Sequence, residues 1–214
     1  MSNNLLNGFD ASHYQGRIDW PRVQGQDFAI FKATEGTGFI DSYLVPDLRG
    51  AQSRGIKASA YHFARPDQDP VAQAKHFVEV LSPVKELLTI VDPYETGRHL
   101  VALDVEPSMN GKHDRWTDLD RNERIDWIRQ FNMHVEPSGY EVMIYCSPQW
   151  WAGMIGTAYG DRHLWAASYS HTPKLAGTGW SDWLIWQCDQ YGTIPGVGVH
   201  SVDRNVAKPK LLGR

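Results

Sequence analysis

His99-Leu100-Val101-Ala102-Leu103-Asp104-Val105-Glu106-Pro107 is a run of apolar residues closed by two acids. Leu100 to Leu103 are apolar at every position, as a strand buried on both faces of a parallel sheet must be. Side chains alternate across a strand, so Asp104 and Glu106 share one face, with Cα atoms about 6.5–7 Å apart. An ionised group in such a setting is costly unless it is paired or used. In parallel barrels the C-terminal strand ends face the catalytic mouth. Two carboxylates this close push their pKa values apart, leaving one protonated acid beside one charged stabiliser. The pattern also fits a strand that turns into a capped loop, with Asp104 accepting backbone hydrogen bonds.

Outward from this stretch, extended segments recur at 6–11, 28–34, 57–64, 99–106, 140–147, 164–169, 183–188 and 197–202. Amphipathic helices lie between several of them. Val71, Ala74, Phe77 and Leu81 recur at helical spacing over 70–81, with Asp69 placed as N-cap and Pro70 at the first helical position. Ile125, Ile128, Phe131 and Val135 form a second stripe over 119–135, for which Thr117 or Asp118 is the expected cap. A third helix is expected over 42–54, stopped by Gly55. Strand–helix alternation implies a mostly parallel sheet with helices outside, and eight segments suggest an α/β barrel. After Cys146 the helical patterns weaken, so the barrel is expected to be irregular there, with fewer helices in the C-terminal third. The whole of 1–214 reads as one domain, with no repeat, linker or separate wall-binding module.

More acids stand at strand ends. Asp10 closes the first strand in Gly8-Phe9-Asp10-Ala11-Ser12, and Asp203 closes the last in His200-Ser201-Val202-Asp203-Arg204-Asn205. A closed barrel makes these strands neighbours and brings Asp10 and Asp203 to the Asp104–Glu106 pair. Glu35, in Lys32-Ala33-Thr34-Glu35-Gly36, either faces the mouth or pairs with Lys32, and the pairing is the favoured reading. Tyr61 and Phe63 share one face of the third strand and His62 the other, where a lone histidine is usually structural. Tyr145 and the Trp186-Gln187 pair stand near the ends of later strands and complete the candidate binding surface. The histidines show no metal-ligand spacing, no Gly-x-Ser-x-Gly elbow is present, and no cofactor is implied.

Composition narrows the function classes. Charged residues make up 21% and the net charge is −4, which argues against nucleic acid as a partner. No apolar run reaches the roughly 18 residues of a membrane span, no leader pattern is legible over residues 1–7, and a monomer is expected. The basic stretch 208–214 reads as a solvated tail. Cys146 and Cys188, both in strand-like segments, read as two buried free thiols. Aromatics reach 12%, with nine tryptophans, and flat aromatic faces suit both cores and sugars.

These residues resemble a known family. Gly8-Phe9-Asp10-Ala11-Ser12-His13-Tyr14-Gln15-Gly16, followed by Ile18-Asp19-Trp20, resembles the opening of the family 25 glycoside hydrolases, the Chalaropsis-type lysozymes. Phe28 to Gly36 is similar to that family's second strand, Ala60 to Pro66 to its third and Ala102 to Glu106 to its catalytic strand. Trp186-Gln187 and Val202-Asp203-Arg204-Asn205 resemble its closing signature. The resemblance implies an irregular β/α barrel that cleaves the β-1,4 bond between N-acetylmuramic acid and N-acetylglucosamine in bacterial peptidoglycan. It further implies Glu106 as general acid/base and Asp104 as the residue that orients the substrate's 2-acetamido group, whose oxygen serves as nucleophile with retention. Asp10 and Asp203 map onto the remaining cleft acids. Action outside the cell or on the wall, after secretion or phage release, follows from the same resemblance. Arg204 stands where an apolar residue is common and Ala207 where an aromatic often follows, which bears on substrate contacts.

Two competing readings exist. A catalytically silent peptidoglycan-binding barrel would lack the acid, whereas Glu106 and Asp104 are both present. A chitin-cleaving barrel typically carries a longer acidic run before its catalytic Glu, where Ala102 and Leu103 stand here.

Overall fold

The computed structural model describes residues 5–94, 96–169 and 171–213. Residues 1–4, on which the leader reading partly rests, and Arg214 of the basic stretch lie outside them. The apolar segments form strands β1 (Leu6–Ala11), β2 (Phe28–Glu35), a two-residue β3 (Phe39–Ile40) and β4 (Lys57–Phe63). They continue with β5 (His99–Asp104), a small hairpin of β6 (Met109–Asn110) and β7 (His113–Asp114), and β8 (Tyr140–Cys146). Last come β9 (Leu164–Ala167), β10 (Ile185–Ile194) and β11 (Val197–Ala207). Eight of them close a barrel in the order β1-β2-β4-β5-β8-β9-β10-β11, with β11 returning to β1.

Alternation sorts the side chains into two cores. Phe28, Ile30, Leu100, Ala102, Met143, Tyr145, Trp165 and Ile185 fill the barrel interior. Phe31, Val101, Leu103, Val142 and Ile144 point outward against the helices. Gly8 is needed on the interior face of β1, because a Cβ there would lie 2.5 Å from the Phe28 ring. The helices are α1 (Leu44–Ser53), α2 (Pro70–Leu81), α3 (Arg121–Val135) and α4 (Pro148–Met154). The Asp69 side chain accepts from Ala72 N–H at 2.7 Å and caps α2 as its sequence predicts. Gly55, at φ +69°, takes the left-handed turn after α1.

The structure departs from the sequence reading in four places. The cap of α3 is Asp120 in a reciprocal box with Glu123, since Thr117 and Asp118 belong to a preceding 3-10 turn and Leu119 is extended. The short α4, the last α-helix among the described residues, fits the weakened helical pattern after Cys146. Strands β10 and β11 are longer than expected and form an antiparallel hairpin, so β11 runs against β1 while the other barrel pairings are parallel. Cys146 is buried but Cys188 is only half-buried, and both are free. The basic stretch is not a solvated tail: Leu211 is buried against the barrel's interior core, and Lys208 pairs with Asp182. Two leucines in that stretch gain more from covering the barrel floor than from water.

Candidate active site

The acid pair is fixed by its backbone. The N–H of Val105 donates to the Tyr145 carbonyl at 2.9 Å, which carries the extended chain past the end of β5. On the other side, Ala64 N–H donates to the Asp104 carbonyl at 3.0 Å. The buried indole of Trp116 donates to the Glu106 carbonyl at 2.9 Å and holds that residue over the barrel mouth. Val105 is fully buried among the helices, so the flanking Asp104 and Glu106 must face the barrel axis.

Asp203 arrives by a route the sequence did not predict. It lies inside β11 rather than at the end of a parallel strand, and it reaches the mouth because the antiparallel register sets it directly opposite Asp10. Asp10 is tied down by two amides. Gln187 Nε2 and Asn205 Nδ2 donate to Asp10 Oδ2 at 2.9 and 2.7 Å. The hydroxyls of Tyr145 and Tyr169 donate to Gln187 Oε1 at 2.9 and 2.8 Å, and the indole of Trp165 donates to Asn205 Oδ1 at 2.7 Å. Five strands thus contribute to one hydrogen-bonded floor. Asp104 is different: its Oδ1 is buried with no hydrogen-bond partner among the described residues.

Charge in this bed is crowded. Burial pushes Asp10 well above the usual carboxylate range, and the neighbouring Asp203 adds to the rise against the two amide hydrogen bonds. Burial and then Glu106 push Asp104 well up, with Lys32 opposing. Burial raises Glu106 to about 7, with Lys32 pulling it down and Asp203 pushing it up. Asp203 rises to about 6 through burial and the nearby Asp189. A carboxyl that keeps its proton near neutrality can donate it to a leaving group, and a neighbour that ionises can stabilise positive charge.

Lys32 is the counterweight. It is buried, donates to Glu35 Oε2 at 2.7 Å, and lies over the rings of Phe63 and Phe39 at 4.9 and 5.3 Å. Glu35 also accepts from Arg65 at 2.9 Å. Burial alone would raise Glu35, yet its Lys32 and Arg65 partners hold it below the usual range. Glu35 is therefore an ion-pair residue that anchors Lys32, the favoured of its two sequence readings.

Of the remaining candidates, Tyr61 and Tyr145 turn toward the acids: burial and then the charges of Asp10, Asp104 and Glu106 raise both phenols. Phe63 is half-buried beneath Lys32. Trp186 stands apart, because it lies on the face of β10 opposite Gln187, where its indole donates to the Ser168 carbonyl and its ring meets Trp183 edge-on. His62 is fully buried between Thr34 and Gln73, and burial lowers its pKa to about 3, so it is a neutral structural residue. Asn205, Tyr169, Trp165 and Lys32 are site residues that sequence reasoning did not single out. Asn205 and Lys32 stand inside the quoted motifs, and Trp165 and Tyr169 stand at the start and the end of the apolar segment 164–169, which is the only signal they carry. Beside Glu106 opens a cavity of about 710 Å³ lined by Tyr145, Gln149, Ser168, Tyr169, His171 and Lys174 among others. Among the described residues, no group of three His, Cys, Asp or Glu side chains is placed to hold a metal ion.

The model of glycosyl hydrolases family 25 matches residues 9–197. Lysozyme M1 from Streptomyces globisporus is 30% identical over 208 residues, covering 94% of this chain and 67% of that protein. The crystal structure of a bacterial lysozyme from Streptomyces coelicolor superposes with a TM-score of 0.78 at 30% identity, over 94% of this chain and 90% of that one. A muramidase from Trichobolus zukalii gives 0.78 at 26% identity, over 97% and 98%.

Proposed function

The chain belongs to glycosyl hydrolases family 25, and from that premise we propose that it is a muramidase acting on the glycan of bacterial peptidoglycan. The bond cleaved is the β-1,4 link from N-acetylmuramic acid to N-acetylglucosamine, with retention at the anomeric carbon. The observation that carries this reading is the pairing, on one face of the chain at the end of β5, of Glu106 raised to about 7 with Asp104, whose buried Oδ1 has no hydrogen-bond partner among the described residues. Glu106 donates its proton to the departing glycosidic oxygen as the C1–O bond breaks. The oxygen of the substrate's own 2-acetamido group attacks C1, and Asp104 accepts the acetamido N–H and stabilises the positive oxazolinium ring that results. Water then adds to C1, the ring opens, and the water's proton returns to Glu106. Two acids on the same strand approach the sugar from one side, which suits this route better than a carboxylate nucleophile on the opposite face. The enzyme works on the bacterial wall, outside the cell or after release by phage, and acts as a monomer.

The direct test is turnover of Glu106→Gln on purified peptidoglycan. Loss of general acid catalysis is expected to cut the rate about 100- to 10,000-fold with the fold intact. A variant that keeps a tenth of the wild-type rate refutes the assignment. The stereochemistry is read by NMR of the first-formed product, and an inverted anomer or a trapped sugar adduct on Asp104 overturns the acetamido route.

A further inference from the structure

The barrel mouth has a second side that the chemistry above does not use. Around the ring of eight strands, β1 and β2 lie diametrically opposite β8 and β9. The 710 Å³ cavity opens above β8 and β9. Above β1 and β2 stands a row of aromatic rings. Tyr14 is 76% exposed, Phe39 is 38% exposed, and His13 lies between them with ring centroids 4.1 Å from Tyr14 and 5.1 Å from Phe39.

This row is built rather than incidental. The buried carboxylate of Asp41 accepts both the His13 backbone N–H at 2.8 Å and its Nδ1 at 2.9 Å, and also the Tyr43 N–H at 2.9 Å. Ser12 and Gln15 box the turn that carries Tyr14, and Gln15 reaches across to the Ser201 carbonyl. Phe39 sits on β3, paired to the end of β2, with Lys32 beneath its ring. Lys32 is the same side chain that pulls on Asp104 and Glu106, so the row is continuous with the acid bed. Exposed aromatics held rigid at the rim of a cleft mark a contact surface. Their spacing is on the scale of a pyranose ring, whose C–H faces stack on aromatic faces.

We propose that Tyr14, His13 and Phe39 form a glycan-binding ledge that holds the sugars of a long strand on the far side of the scissile bond from the cavity. The inference rests on the peptidoglycan reading and adds a substrate-length preference to it. The enzyme grips a strand at both ends of the mouth, and short fragments reach only one grip.

The experiment compares kcat/KM for Tyr14→Ala and for Tyr14→Ala/Phe39→Ala on long peptidoglycan glycan strands and on an aryl glycoside of the muramyl disaccharide. Tyr94→Ala, an exposed tyrosine stacked on His163 away from the barrel mouth, is the control. On long strands Tyr14→Ala is expected to lose about fivefold, the equivalent of one stacked ring at about 1 kcal/mol, and the double variant more. The advantage of long strands over the disaccharide should shrink by the same factors, and Tyr14→Phe should restore it. Equal loss on both substrates, or none on either, overturns the ledge while leaving a muramidase. A wild-type enzyme inert on peptidoglycan fails the underlying reading and the ledge with it.

Discussion

Replacing Glu106 by Gln should make the protein more stable, and only above acidic pH. The carboxyl has its ordinary value of 4.5 in the unfolded chain and about 7 in the fold, chiefly because it is buried. A raised acid pKa means that the folded state holds the proton more tightly than the unfolded state does. Stability is then complete below about pH 4.5, declines as pH rises toward 7, and is flat above. At about 1.4 kcal/mol per pH unit the full penalty is about 3 kcal/mol, and partial access of water to the side chain reduces it to about 2 kcal/mol. Gln has the same shape and no charge to desolvate. For a chain of this size each kcal/mol moves Tm by about 2–4 °C, so Glu106→Gln should melt about 4–8 °C above wild type at pH 8 and level with it at pH 4. Circular dichroism melts of both proteins across that range provide the measurement. A gap of the same size at both pH values, or a variant less stable at pH 8, would show that the Glu106 carboxyl is not strained by its surroundings.

Other changes probe the same charge balance and the fold beneath it. Asp203→Asn removes a negative neighbour that pushes Glu106 up, so the alkaline limb of kcat/KM against pH should move to lower pH; an unmoved limb places Asp203 outside the coupled set, whose limbs belong to the cluster as a whole. Lys32→Met removes the cation that pulls Glu106 and Asp104 down, so in the same assay the limb should move the other way. Gly8→Ala places a methyl 2.5 Å from the Phe28 ring; such overpacking costs about 1–3 kcal/mol, read as a lowered Tm, and Phe28→Leu in the same chain should recover part of it.

Much of this architecture could be read from spacing alone. Leu100 to Leu103 announced a strand buried on both sides, and strict alternation put Asp104 and Glu106 on one face without any knowledge of the barrel. Direction was not legible. A period of two is the same whichever way a strand runs, so nothing in Val197–Ala207 tells β11 to run antiparallel, and Asp203, at a strand end by its sequence pattern, sits mid-strand opposite Asp10. Trp186 and Gln187 show the limit in miniature: neighbours in sequence suggest one surface, while the pleat sends them to opposite faces. The ties from Gln187 and Asn205 to Asp10 span 177 and 195 residues of chain, and no local pattern encodes a partner that far away. Lys32 was legible as a partner for Glu35, but its pull on the acid bed exists only once β2 and β5 lie in the same barrel.

The tie between Asp10 and Asn205 also has a temporal side. Chains leave the ribosome N-terminus first, and pairings between distant segments form last because the intervening loop must close. Asp10 is made before Asn205, 195 residues ahead of it, and the strand that carries it finds its antiparallel neighbour only when β11 has emerged. Until that moment the nascent chain carries Asp104 and Glu106 without the floor that orients Asp10 and without Asp203. A barrel built this way brings its four acids together only when β11 closes on β1.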